Sequence, residues 1–168
     1  MNPTQPANLA DPPATLAELV ARERLPAVTD RWREIQRCCN AQAWTAALVL
    51  LGSLVDALMA ERLGGMKSVT FQSRYAPLDG KRRQALDLAE WPTRSLVAVA
   101  HDLMILEDAT HALAQGALDW RTLVVMPAGG PRAPAARDVH VAIALLNAVI
   151  ADLVASRMRP VERFRSEG

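Results

Sequence analysis

The residues of this chain best able to do chemistry are three histidines, two adjacent cysteines and one basic segment. His101 stands beside Asp102, and His111 follows Glu107 and Asp108, so Glu107 and His111 share a helical face at i,i+4. Two ligands make a poor metal site. The spacing points instead to a solvated first helical turn, with no metal. His140 shares a face with Ala144, Asn147 and Ala151, a small, mildly polar stripe suited to packing against another helix or a second subunit. Cys38 and Cys39 are neighbours on a predicted helix, about 100° apart and badly placed to bridge each other. With no CxxC and no second pair, a thiolate zinc or iron–sulfur site is excluded. Core or interface packing in a reducing cytoplasm fits them best.

The basic segment, residues 66–83, carries Lys67, Arg74, Lys81, Arg82 and Arg83 against Asp79 alone. Phe71 and Tyr75 interleave with those charges, as in segments that stack bases and hold phosphates, which makes these five cations RNA-binding candidates. An ordinary solvated loop is the competing reading. No phosphate-binding glycine loop, no HExxH and no Ser/His/Asp set occurs, so no cofactor is expected.

The elements that position these residues follow from composition. Thirty alanines and 22 leucines fill nearly a third of 168 positions, against seven aromatics, a balance that favours helix over strand. The length suits one domain. A net charge of +1 supplies no global field toward nucleic acid or an anionic membrane. Residues 1–14 hold four prolines, no basic cluster and no apolar run, so they read as a flexible tail and not a signal peptide. Residues 15–159 form one helical-bundle domain, and 160–168 a charged tail.

Proline-free windows carry the architecture. A leader helix begins after Thr15 and ends near Pro26. Thr29 or Asp30 caps a second helix through Trp32, Ile35 and Cys39, which runs on, with or without a kink at Asn40, into an apolar helix ending at Gly64 and Gly65. Residues 43–60 are nearly long enough to span a bilayer, but Asp56, Thr45, Gly52 and Ser53 interrupt them and no basic flank marks an inside end. A buried central helix in a soluble bundle is the reading, with no membrane partner. Residues 68–71 are expected to be extended. Leu96, Val99, Ala100, Leu103 and Leu106 give the next apolar stripe, residues 108–125 a further helix, and Asp138 caps the last one. The fold expected is all-α, an antiparallel bundle of about five helices.

Three segments in this order carry a resemblance. WTAALVLLGSLVDALMAERL (residues 44–63) resembles the second long helix of HEPN-like (higher eukaryotes and prokaryotes nucleotide-binding) proteins, an aromatic–Ala–Ala start followed by an apolar run with Gly-Ser, an acidic residue and Ala-Leu. LAEWPTRSLVAVAHDLMIL (residues 88–106) is similar to their Trp, then Leu-Ile-x-x-Ala helix. LDWRTLVVMP (residues 118–127) falls where that family carries an Arg-Asp-aromatic-Arg-Asn-Leu-Ile-His-Pro type motif. The resemblance covers roughly residues 41–153. It implies a dimer whose helices flanking the motif pair, and, in active members, a metal-independent endoribonuclease. There a histidine moves the ribose 2′-hydroxyl proton and an arginine stabilises the charge on phosphorus.

This chain departs from that motif where the chemistry sits. Arg121 is retained, but Thr122 replaces the asparagine, Leu118 the earlier arginine, and the histidine position falls on Val125 or Met126. Neither transfers a proton, and His140 is the histidine left to replace the base. The reading is therefore a degenerate motif with no catalytic residue, on a homodimerising or partner-binding module; the resemblance implies a toxin–antitoxin or phage-defence setting. The alternatives are an endoribonuclease using Arg121, or an RNA-binding scaffold using the basic segment. Asp56, on the apolar helix, needs a partner. Arg121 is the candidate for that buried pair; Arg121 on RNA phosphate is the other role it can take.

Overall fold

The computed structural model describes residues 14–80, 86–125 and 133–158, with side chains in the sixth helix described only as far as Gly116. Among these residues the fold is all-α: α1 (Ala14–Leu19), α2 (Leu25–Asn40), α3 (Trp44–Gly64), α4 (Lys67–Thr70), α5 (Thr93–Asp102), α6 (Asp108–Val125) and α7 (Ala136–Met158). Seven helices stand where about five were expected, two of them, α1 and α4, of six residues or fewer. Of the tails expected at 1–14 and 160–168, Ala14 already belongs to α1 and the rest fall outside the described residues.

The apolar run becomes the axis of the bundle. Ala47, Leu51, Leu54, Val55, Leu58, Met59 and Leu63 of α3 are buried, and α1, α2, α5, α6 and α7 all pack on it. An all-round apolar helix has no wet face to offer, so neighbours must surround it. α2 supplies Val28, Trp32, Ile35 and Cys39 from one face, while Asp30 and Arg33 pair at 3.0 Å on the other. α7 supplies Val139, Ala142, Leu145, Leu146, Val149, Ile150 and Leu153.

Several boundaries differ from expectation. α1 already includes Thr15, and α2 begins before Thr29, at Leu25 with Pro26 in its first turn, where the missing N–H costs nothing. α2 and α3 are separate helices, divided at residues 41–43, where Gln42 takes φ 55°. The double glycine closes α3 without a left-handed residue, since Gly65 has φ −70°; the buried Thr70 hydroxyl instead donates to the Leu63 carbonyl at 2.9 Å. Residues 67–70 are therefore a helical turn and not an extended piece. Asp138 sits inside α7 and reaches back to accept the Ala135 amide at 2.8 Å, the reciprocal arm of a capping box.

The C-terminal ends of α1, α3 and α7 are tied together by arginines. Arg157 donates to the carbonyls of Glu18 and Leu19, satisfying the end of α1. Arg62 donates to the Ser156 hydroxyl and carbonyl, both at 3.2 Å. Partial burial, then the neighbouring Arg157 charge, pulls the Arg62 pKa down.

If α3 is the axis, truncation inside it is expensive and truncation on its single open strip is not. Leu54→Ala is expected to cost about 3–5 kcal/mol through the cavity it leaves. Val49→Ala, at a 43% exposed site, is expected to cost less than about 0.5 kcal/mol. Urea unfolding followed by circular dichroism separates the two.

Candidate functional site

The degenerate motif lies on the second half of α6. Arg121, Thr122 and Val125 are in the helix, with Arg121 and Val125 one turn apart, about 6 Å along the axis. Their side chains, and Met126 altogether, lie outside the described residues. So do Lys81, Arg82 and Arg83.

Asp56 is half-buried on α3 and accepts a hydrogen bond from the Thr93 hydroxyl at 3.0 Å. Thr93 is the first residue of α5, so the carboxylate sits at the positive end of that helix, where the dipole favours an anion. α6 also packs against α3. The Asp56–Arg121 pair expected from sequence involves a side chain outside the described set. Thr93 was not anticipated as a partner; the available signal was its place directly after Pro92, at a helix start.

The described residues of the basic segment do not all face solvent. Lys67 is exposed at the start of α4, and Arg74 lies over the Tyr75 ring, 4.7 Å from its centroid. Asp102 faces Arg74 at 3.7 Å and takes a 2.6 Å hydrogen bond from Ser73, so the arginine's charge is already opposed. Phe71 does not interleave with the cations at the surface. Its ring meets Trp91 edge-on, 5.7 Å between centroids, against the core. Burying an aromatic gains more than leaving it for a ligand.

The histidines are arranged differently from the solvated turn expected. His101, on α5, and His111, on α6, stack with ring centroids 4.0 Å apart and planes within 9°. The His101 Nε2 lies 2.9 Å from an Asp108 carboxylate oxygen. A ring nitrogen binds a metal in the ring plane, and two parallel rings share no in-plane point, so the stack does not chelate. Among the described residues no group of three His, Cys, Asp or Glu could hold a metal ion. His140, Ala144, Asn147 and Ala151 share one face of α7, as their spacing predicted, and among the described residues no other helix covers it: all four are exposed. Cys39 is buried, and burial first, then Cys38, pushes its thiol pKa up, away from the nucleophilic thiolate.

The last helix is the least satisfied surface. Val141 is 38% exposed and Met158 84%, with Ala144, Ala151 and Ala155 open between them. Leu145, by contrast, points into the core. α7 is long and apolar enough to cross a membrane by length and composition, with a mean hydropathy of 2.0 over 18 residues, of which 44% are buried. The leader helix packs on α7 and buries Leu16, Leu19 and Val20, yet this outward strip stays uncovered.

Comparison with protein-family models, with curated proteins and with solved structures finds no match to this chain. The functional reading therefore rests on its own residues.

Asp56 and Thr93 make a measurable pair. Asp56→Ala is expected to cost roughly 1–3 kcal/mol, and Thr93→Val about 1 kcal/mol. Because the two share one hydrogen bond, the double variant should lose less than the sum, by about 0.5 kcal/mol or more. Additive losses in urea unfolding would show that the bond contributes nothing.

Proposed function

We propose that this chain is a non-catalytic helical binding module that acts through the outward face of α7, with a second copy of itself as its partner. The observation that carries this is the uncovered strip from Val141 to Met158 on a helix whose other face is core. Exposed apolar surface of this kind on a small protein marks a contact site. Its small residues let a second helix approach closely. Two-fold pairing would bury one self-complementary patch on each subunit.

The HEPN-like resemblance supports the same reading, because it implies pairing through the helices that flank residues 118–127. It is also the sole support for a toxin–antitoxin or phage-defence setting. Val125 and Met126 stand where the family's active members carry the proton-transferring histidine. A second reading, RNA binding, is favoured by one feature: Arg74 stacked on the exposed Tyr75 ring.

Light scattering of the purified protein at micromolar concentrations tests the proposal. The expected result is a dimer that Val141→Glu converts to monomer with its helical circular dichroism intact; a wild-type mass of 18.3 kDa would contradict it. Metal-free incubation with RNA should leave the RNA uncut, and cleavage abolished by Arg121→Ala would promote the nuclease reading. Retention of RNA that falls steeply with salt would favour the basic segment instead.

A further inference from the structure

The corner between α5 and α6 concentrates titratable groups that neither fold nor proposed function uses. His101 and His111 are ten residues apart in sequence and meet face to face because residues 103–107 reverse the chain between them. That reversal is tight. Met104 takes φ 52°, a left-handed conformation disfavoured for a side chain of its size, and is 52% exposed. Its neighbours Leu103, Ile105 and Leu106 are buried, and the amides of Ile105 and Leu106 both point at the Ala100 carbonyl, at 2.8 and 3.2 Å.

Three contacts hold this bend shut: the ring stack, the His101–Asp108 contact at 2.9 Å, and the Glu107 amide on Asp152 of α7 at 2.9 Å. The proton inventory of the stack is restricted. The Gln115 side-chain nitrogen lies 3.2 Å from the His111 Nε2. With the amide nitrogen turned that way, Nε2 accepts and the neutral His111 carries its proton on Nδ1. A second proton on His111 would oblige the Gln115 amide to turn its oxygen toward Nε2. Where His101 is also protonated, it would set two imidazolium rings 4.0 Å apart as well.

The remaining charges nearby are committed elsewhere. Asp102 is engaged by Ser73 and Arg74 from the preceding segment, and Asp152 by the Glu107 amide. On α3, Asp56 faces the opposite end of α5 at Thr93, Glu61 meets Arg24, and Arg62 meets the end of α7. Asp108, with Glu107 four residues before His111 on the same helical face, supplies the anions that oppose a charge on His111. Burial first, then His101, nonetheless holds the His111 pKa below the ordinary 6.5 against the upward pull of Asp108.

We infer that the α5–α6 corner is a proton-operated latch, closed while His111 is neutral and opened when His111 takes a second proton. Opening separates the rings, lets Met104 leave its left-handed conformation, and uncovers Leu103, Ile105 and Leu106. The sign follows from proton counts: below 6.5 the released His111 binds a proton that the stacked one resists, so acid favours the open corner and pH above 6.5 does not.

The test is an imidazole NMR titration of the intact protein, with amide hydrogen exchange over residues 103–107 on the same samples. The expected result is a His111 midpoint below 6.5 and protection factors at the corner that fall on acidification while far-ultraviolet circular dichroism stays constant. His111→Phe keeps a flat ring on His101 but takes no proton, so the corner's pH dependence should vanish. His101→Phe should raise the His111 midpoint. Corner protection that responds to pH equally in His111→Phe overturns the latch. Should that variant not fold, a His111 midpoint unmoved by His101→Phe, or at or above 6.5 in the wild type, overturns it.

Discussion

The structure depends on one constraint: α3 is apolar on nearly every side and has to be enclosed. Each fully buried leucine on it contributes about 1.5–3 kcal/mol that no other arrangement of the chain would recover. Five helices are recruited to cover it. Three charged residues of α3 are placed where a neighbour ends or begins. Asp56 meets the start of α5, Glu61 accepts from Ala21 and Arg24 just before α2, and Arg62 bonds the last turn of α7. These residues fix the register of helices that apolar packing alone would let slide. Burial provides the driving force and the polar contacts select one arrangement.

Enclosing one helix on all but a narrow strip strains the corners of the rest. The chain must reverse sharply after α2 and after α5, and both reversals use side-chain-bearing residues in the left-handed region, Gln42 and Met104. The same economy leaves α7 with one core face and an outward strip of Val141, Met158 and alanines interrupted by His140 and Asn147. Its inner side is spent on α3 and α6, α1 covers part of what remains, and the strip through Val141 is left for a partner. The functional proposal is thus a consequence of the packing problem as well as of the resemblance.

Much of this architecture was legible in the residues. The apolar period at Trp32, Ile35 and Cys39, the buried run of α3 and the proline-free windows located every long helix, though the period missed Val28, which precedes the expected cap. Helix starts were less legible, because Pro26 opens α2 by steric fit while Thr29 and Asp30 only resemble caps. The His101–His111 stack was illegible for a different reason: it is made by the turn between two helices, and no i,i+3 or i,i+4 rule reports contacts across a turn. Phe71 misled because aromatic–basic alternation looks alike whether the ring faces solvent or, as here, Trp91. On α7, spacing put His140 and Asn147 on one face without deciding whether a helix of the same chain covers it, and it could not decide that Leu145 turns inward and Val141 outward.

Native-state hydrogen exchange in low denaturant tests most directly the claim that everything is built around α3. Amides of Leu51, Leu54, Val55, Leu58 and Met59 should exchange only through global unfolding, with one shared free energy equal to that from urea melts and the full denaturant dependence. α1 and the α5–α6 corner should open at lower free energy. If the α3 amides instead exchange by local fluctuations, with small denaturant dependence and lower protection than α7, then α3 is not the element on which the fold depends.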